Sequence, residues 1–264
     1  MDTVLFDFHN TIASQQPLTA TTTAVGDSAT VRYFPTTSKA RLETVCAQNS
    51  GAQAVRIASP MLHDNVTGLT FQFAEQPTTY LLPQEVGQPL TPGDTLVVQL
   101  TAAATSDSVA VLCNYYENLP GAVARLYSWA DISGNVKSIK ALEVDCVTSA
   151  TIGQWSDTLI TATENQLHAR TDYAVLGYEA SVAVVTVAIK GQETGNLRVG
   201  GPGPTSSFPT SDYFVQMSNM HGTPHIPVFN ADNRNSVYVS TAANTASVAT
   251  KVTLILAEMA TALS

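Results

Sequence analysis

Charge is scarce in this chain. Asp, Glu, Lys and Arg together make up 12% of 264 residues, about half the share of an ordinary soluble domain. Lys and Arg number only 12, no basic run occurs, and the formal net charge is −9. Binding to nucleic acid needs clustered cations that displace phosphate counterions, so direct contact with nucleic acid is not expected. The acidity also works against docking on anionic membrane surfaces. Cysteine is sparse: Cys46, Cys113 and Cys146 are odd in number and far apart, with no Cys-x-x-Cys pair. Each sits among apolar neighbours and reads as a small buried hydrophobe, so neither a disulfide framework nor a zinc site is expected. The longest apolar run, VAVVTVAI at 182–189, is far too short to span a bilayer. The first residues carry no basic region of the kind that opens a secretory signal. Aromatics are 7%, with Trp129 and Trp155 the only tryptophans, which leaves few platforms for stacking sugars.

What the chain has is β-forming segments. Hydrophobic residues are 44%, enough for a core, and the length allows one large domain or two of ordinary size. ATVRYF (29–34), LETVCAQ (42–48), AVRIAS (54–59), GLTFQFAE (68–75), TLVVQLTA (95–102) and VAVLCNYYE (109–117) are rich in β-branched and aromatic residues and bounded by turn formers. In TFQFAE, Phe71 and Phe73 fall on one face of a half-buried strand. The texture changes at 118–140. A Pro-Gly turn leads into AVARLYSWADI, which reads as a short helix stopped by Ser-Gly-Asn. A second β-rich run follows: ALEVDCVTS (141–149), DTLITATE (157–164), the long 173–191, DYFVQMS (212–218), HIPVF (225–229), SVYVSTAA (236–243) and ATKVTLILAEM (249–259). The two halves end alike. Residues 95–117 and 236–258 both read strand, small polar turn, strand, Glu, with Val98, Ala102, Ser106 and Val111 answered by Val239, Ala243, Ser247 and Val252. Each half is expected to close in a hairpin ending at Glu117 or Glu258. The fold class expected is all-β: two tandem jelly-roll-like sandwich or barrel domains with a short helical connector. Their limits are an N-terminal arm at 1–24, a first domain at 25–118, a connector at 119–139 and a second domain at 140–264.

Several stretches imitate reactive motifs. VLFDFHNT (4–11) resembles the opening of the haloacid-dehalogenase phosphatases, a buried strand ending in Asp-x-Asp-x-Thr. Asp7 and Thr11 match, but His9 stands where the second carboxylate must protonate the leaving group, and no βαβ body follows. ETGNLRVGGPGP spaces Gly195 and Gly200 like a phosphate loop, yet offers Gly201 and Pro202 in place of the lysine and hydroxyl that hold phosphate and magnesium. It reads as a tight surface loop. HGTPH sets His221 and His225 four apart, near Asn230, but Gly222 and Pro224 forbid the helix on which that spacing would grip a metal. The phrase also resembles the second metal motif of cupins, whose first motif has no counterpart here. His9, His63 and His168 are isolated. NADNRN (230–235) gathers Asp232 and three asparagines, a poor ligand set for calcium and a good turn. Asn65-Val66-Thr67 is a glycosylation sequon without a secretory signal. No catalytic, cofactor-binding or metal-binding residue is assigned, and no enzymatic activity is expected.

A charge-poor exterior of Thr, Ser and Ala points to assembly, because such surfaces meet copies of themselves without stripping water from ions. In its two consecutive β domains, similar closing strands and connector at 118–140, the chain resembles the double jelly-roll major capsid proteins of tailless, membrane-containing icosahedral bacteriophages. GNLRVGGPG (195–203) also reads like loops of phage virion proteins. The resemblance implies two upright barrels per chain, three chains in a pseudo-hexagonal capsomer, other virion proteins as partners and assembly in the host cytoplasm. It further implies an arm at 1–24 that faces inward, toward an internal membrane, or bridges capsomers. The alternatives are a decoration, spike or receptor-binding β-sandwich protein of a phage, a carbohydrate-binding module, or a cupin-like or glycan-active enzyme.

Overall fold

In a computed structural model, residues 125–263 are described, apart from 152, 153, 182, 183, 185, 197, 205–208, 223 and 244; before residue 125 the description is limited to ten strands and their pairing. Those ten are β1 (Phe8–Ile12), β2 (Leu18–Thr19), β3 (Ser28–Tyr33), β4 (Ala40–Asn49), β5 (Gln53–Ala58), β6 (Leu69–Phe73), β7 (Thr78–Leu81), β8 (Gln88–Leu90), β9 (Thr95–Leu100) and β10 (Ser108–Asn118). The second half holds β11 (Leu126–Tyr127), α1 (Trp129–Ile132), β12 (Val136–Val147), β13 (Ser156–Leu159), β14 (Asp172–Ala180), β15 (Thr186–Lys190) and β16 (Arg198–Pro202). It ends with α2 (Tyr213–His221), β17 (Ile226–Asn230), β18 (Tyr238–Ala242) and β19 (Ala249–Met259). Every pairing among the described strands is antiparallel.

The chain is all-β, and its two halves repeat one strand order. In the first, β1-β10-β4-β7 form one sheet, with β8 also pairing β4 and β2 pairing β10, while β3-β9-β5-β6 form the other. In the second, the sheets run β12-β19-β14-β17, flanked by β11, and β13-β18-β15-β16. Reading β7 and β8 as one position and setting aside the two-residue strands β2 and β11, both halves place their first strand beside their last, and both split eight strands between two sheets in the same way. This is the jelly-roll arrangement. It revises the expected closing hairpins. β9 and β10 belong to opposite sheets, as do β18 and β19, so the small polar turns cross from one sheet to the other. The sequence likeness of the two endings reflects this shared crossing.

Within the stretch expected as an arm, Phe8 to Ile12 pair with Asn118 to Asn114 along β10. Phe8 to Thr11 of that motif therefore belong to an edge strand, and among the described residues no helix-strand phosphatase body surrounds it. The connector is shorter in helix than its sequence promised. Ser128 caps α1 by accepting from the Asp131 N–H, and the Asp131 carboxylate accepts from the Ser128 N–H in return, a capping box. β12 then starts at Val136. Its sequence alternates, and Leu142, Val144 and Cys146 turn inward while Glu143, Asp145 and Val147 face out.

Two segments differ from the sequence reading. DYFVQMS is helical: Tyr213, Phe214 and Met217 are buried with i, i+1, i+4 spacing, and Gly222, at φ 63°, ends the helix by donating its N–H to the Ser218 carbonyl. The aromatic and β-branched start masked that period. RVGGP, read as loop, is strand β16. A side chain at Gly201 would collide with the Tyr213 ring and lie 2.5 Å from the Tyr178 hydroxyl. The glycine lets α2 pack its aromatic residues against the sheet. Tyr178, Tyr213 and Phe214 meet at centroid distances of 5.2–6.0 Å, and the Tyr178 hydroxyl donates to the Pro202 carbonyl at 2.7 Å. Where β17 leaves β14, Thr210 takes over: the Tyr178 N–H donates to its carbonyl and its hydroxyl donates to the Tyr178 carbonyl. Gly177 leaves no room for a side chain beside that crossing.

Candidate functional site

The residues singled out for chemistry do not converge. His221 is the last residue of α2, while His225 lies buried beyond the Gly222 cap and donates its backbone N–H to the Tyr127 carbonyl. Asp232 sits in a 3-10 turn (Ala231–Ser236), where its carboxylate accepts from the Arg170 N–H at 3.0 Å. Gly200 and Gly201 belong to β16, not to a phosphate-cradling loop. Cys146 is buried, and burial pushes its thiol above the ordinary value. Register pairs Cys46 with Leu112 rather than with Cys113. His63, Asn65 and the side chains of His9, Phe71 and Phe73 lie outside the described residues. Among the described residues, no three His, Cys, Asp or Glu gather as a metal site, and no helix is long and apolar enough to cross a membrane.

What the sequence did not reveal is three ionic knots. In the first, Arg125 donates to Asp172 at 2.9 Å, to Glu193 at 2.8 Å and to the Leu263 carbonyl at 2.9 Å. Asp172 also accepts from Asn230 at 2.8 Å and from the Leu263 N–H at 2.8 Å. Glu193 accepts from Asn233 and from the Asn230 N–H, so the asparagine-rich NADNRN turn serves carboxylates rather than calcium. Burial is the largest influence and would raise both carboxyl groups, but the hydrogen bonds from Arg125, Asn230, Asn233 and the Leu263 N–H, with the Arg125 charge, together outweigh it and hold both below their ordinary values. Burial likewise opposes the Arg125 charge, and its two carboxylates reverse that and raise its pKa.

The second knot surrounds Glu258, only 2% exposed. Its carboxylate receives Lys137 at 2.5 Å, Lys140 at 2.7 Å and Ser138 at 3.2 Å, with the His168 ring at 3.4 Å. The hydrogen bonds from Lys137 and then Lys140 bring its pKa down to about 2. The third knot is Asp157, held by Lys190 at 2.7 Å, Arg198 at 2.9 Å and Ser240 at 2.6 Å, while Arg198 lies over the Trp155 ring at 5.1 Å. Burial raises the Asp157 carboxyl, and these partners lower it further than burial lifts it. A carboxylate ringed by cations is a poor proton acceptor at neutral pH. These groups fasten strands, turns and Leu263 to one another.

The surfaces carry more information. The outward row Asp157, Ser240, Ala188, Gly200 crosses the β13-β18-β15-β16 sheet. It dwindles from a charged side chain to none, and Thr186, Ala188, Ser240 and Ala242 are wholly buried. That sheet is thus covered on both faces, and β16 lies beside β1, β4 and β10 of the first half. Small side chains allow such close approach without desolvating charge. The other sheet ends in β12, which among the described strands pairs only with β19. Its outward side chains include the two exposed large hydrophobics among the described residues, Ile139 at 55% and Val147 at 52%. Val147 borders a shallow hollow of about 460 Å³ shared with Asp145, Ser181, Ala249 and Lys251.

The fold and these surfaces place the chain among all-β jelly-roll proteins. No family model matches its sequence, and no curated protein matches it significantly. Among solved structures it is similar to the exported protein XepA of PBSX, at 11% identity and TM-score 0.28 over 94% of this chain and 86% of that one. It is similar to a triple jelly-roll protein of an archaeal virus, at 11% identity and TM-score 0.27 over 99% of this chain and 62% of that one. It is also similar to the major capsid protein P2 of bacteriophage PM2, at 8% identity and TM-score 0.25 over 95% of this chain and 98% of that one. Likenesses this distant carry no functional information.

Proposed function

We propose that this chain is a structural protein of a virus particle: a major capsid protein whose two jelly rolls, joined through 119–139, stand side by side. Three chains then form a pseudo-hexagonal capsomer of an icosahedral shell. The observation that supports this reading is the repetition of one jelly-roll strand order in both halves of a single chain. Two like units per chain give a trimer six similar lobes, the geometry a hexagonal tile requires. The knotted carboxylates agree with a chain that holds shape rather than transforms a substrate. The scarcity of surface charge agrees with burial against sister copies. Other virion proteins are the further partners in this reading, and no enzymatic step is assigned.

Native mass spectrometry and negative-stain microscopy of the purified chain test it. A trimer that tiles into hexagonal arrays or shells is expected. A protein that stays monomeric at micromolar concentration, or that binds a saccharide in a cleft, overturns it.

A further inference from the structure

We propose that the free edge of β12 pairs antiparallel with the β12 edge of a second copy, joining two copies of the five-stranded sheet across a twofold axis. The proposal rests on the reading that this chain self-assembles, and it names one surface that does so.

The backbone comes first. β12 is 12 residues long and, among the described residues, hydrogen-bonds as a strand to β19 on one side only. A long unpaired edge is a template for another strand, and proteins that must stay apart blunt such edges with proline, bulges or inward charge. The β12 edge is blunted only near its start. There the register slips between Val136 and Ser138, and Lys137 curls back to Glu258. From Ser138 to Val147 the edge carries no bulge and no proline, and its one inward charge, Lys140, is held by Glu258 at 2.7 Å.

The side chains then choose the occupant. The early end of β12 is positive, because Lys137 and Lys140 share the single carboxylate of Glu258. The late end is negative, because Glu143 and Asp145 share the single ammonium of Lys251, at 3.2 and 3.6 Å. A strand positive at one end and negative at the other complements itself when it meets a copy running the opposite way. Centring the axis on Ala141 sets Lys137 opposite Asp145 at both ends. It brings the two Ala141 side chains together and leaves Ile139 diagonal to the partner's Ala141 and beside the stem of its Glu143. No like charges stand directly opposite each other in this register, and the two Lys140, diagonal to each other, are each held by their own Glu258 at 2.7 Å. Centring one residue earlier would oppose Lys140 to itself. Centring on Glu143 would oppose that carboxylate to itself.

Ala141 and Asp145 are exposed, so substitutions there leave the core intact. Under mild oxidation, Ala141→Cys is expected to convert to a covalent dimer on a non-reducing gel, while the wild type and Glu143→Cys stay largely monomeric. Adding Asp145→Lys to Ala141→Cys sets lysine against Lys137 and is expected to cut the cross-linked yield roughly fivefold. Cross-linking of Ala141→Cys no faster than of Glu143→Cys, or yield unmoved by Asp145→Lys, overturns the proposal. If arrays form without the 141–141 cross-link, the edge contact falls and the capsid reading stands. If the cross-link forms in a chain that builds nothing larger, the reverse holds.

Discussion

Single residues decide how closely the layers of the second half approach. Gly201 is there for space rather than for a turn. Gly201→Val would force the Tyr213 and Tyr178 rings out of place and is expected to cost about 3 kcal/mol, read as a lower midpoint in urea. Arg125 is a second such point. Arg125→Met keeps the bulk but leaves the buried Asp172 carboxylate without its cation. The expected loss is about 3 kcal/mol, with faster amide exchange at Leu263, whose N–H that carboxylate holds. The carboxylates also fix the acid limit of the fold. Glu258 titrates at about 2 in the folded chain against an ordinary 4.5, and Asp157, Asp172 and Glu193 are lowered too. Each releases its proton more readily folded than unfolded, so each stabilises the fold above its ordinary value. That contribution fades as pH falls from about 4.5 toward 2. Thermal melts between pH 7 and pH 2 should show the loss beginning below about 4.5, and Glu258→Gln should flatten part of it.

Whole elements carry the next level. β1 pairs along β10, so deleting residues 1–20 removes a sheet edge as well as any reach toward neighbours. The truncated chain is expected to unfold its first half more readily and, because β1 also lies against β16, to weaken the second, seen in calorimetry as two transitions that both fall below that of the full chain. How legible the elements were depended on what sets them. Strands such as β12 and β19 announce themselves because one face is buried and the other wet, which writes a period of two into the sequence. α2 was hidden because its first residues, Tyr213, Phe214 and Val215, are strand formers by composition, and only the core beneath them selects the helical period. β16 was hidden because its glycines look like turn residues until the aromatic rings above them are known. The ionic knots could not be read at all: Arg125 and Glu193 lie 68 positions apart, and no local pattern joins them.

At the scale of the molecule, the strand order has a consequence for synthesis. Setting aside the two-residue β11, each unit sets its earliest strand against its latest, β1 with β10 and β12 with β19, so neither can close until its final strand exists. Contacts of such long sequence separation slow folding and leave sheet edges bare in the interval. The first unit can shut once Asn118 has emerged. The second stays open until Met259, with β12 unpaired throughout, and a growing chain beside another of its kind offers that strand a stranger's β19 before its own. Crowded translation of this protein is therefore expected to yield exchanged dimers, separable from native ones by their resistance to dilution. A slower elongation rate lengthens the time β12 waits for its own β19 and should raise their proportion.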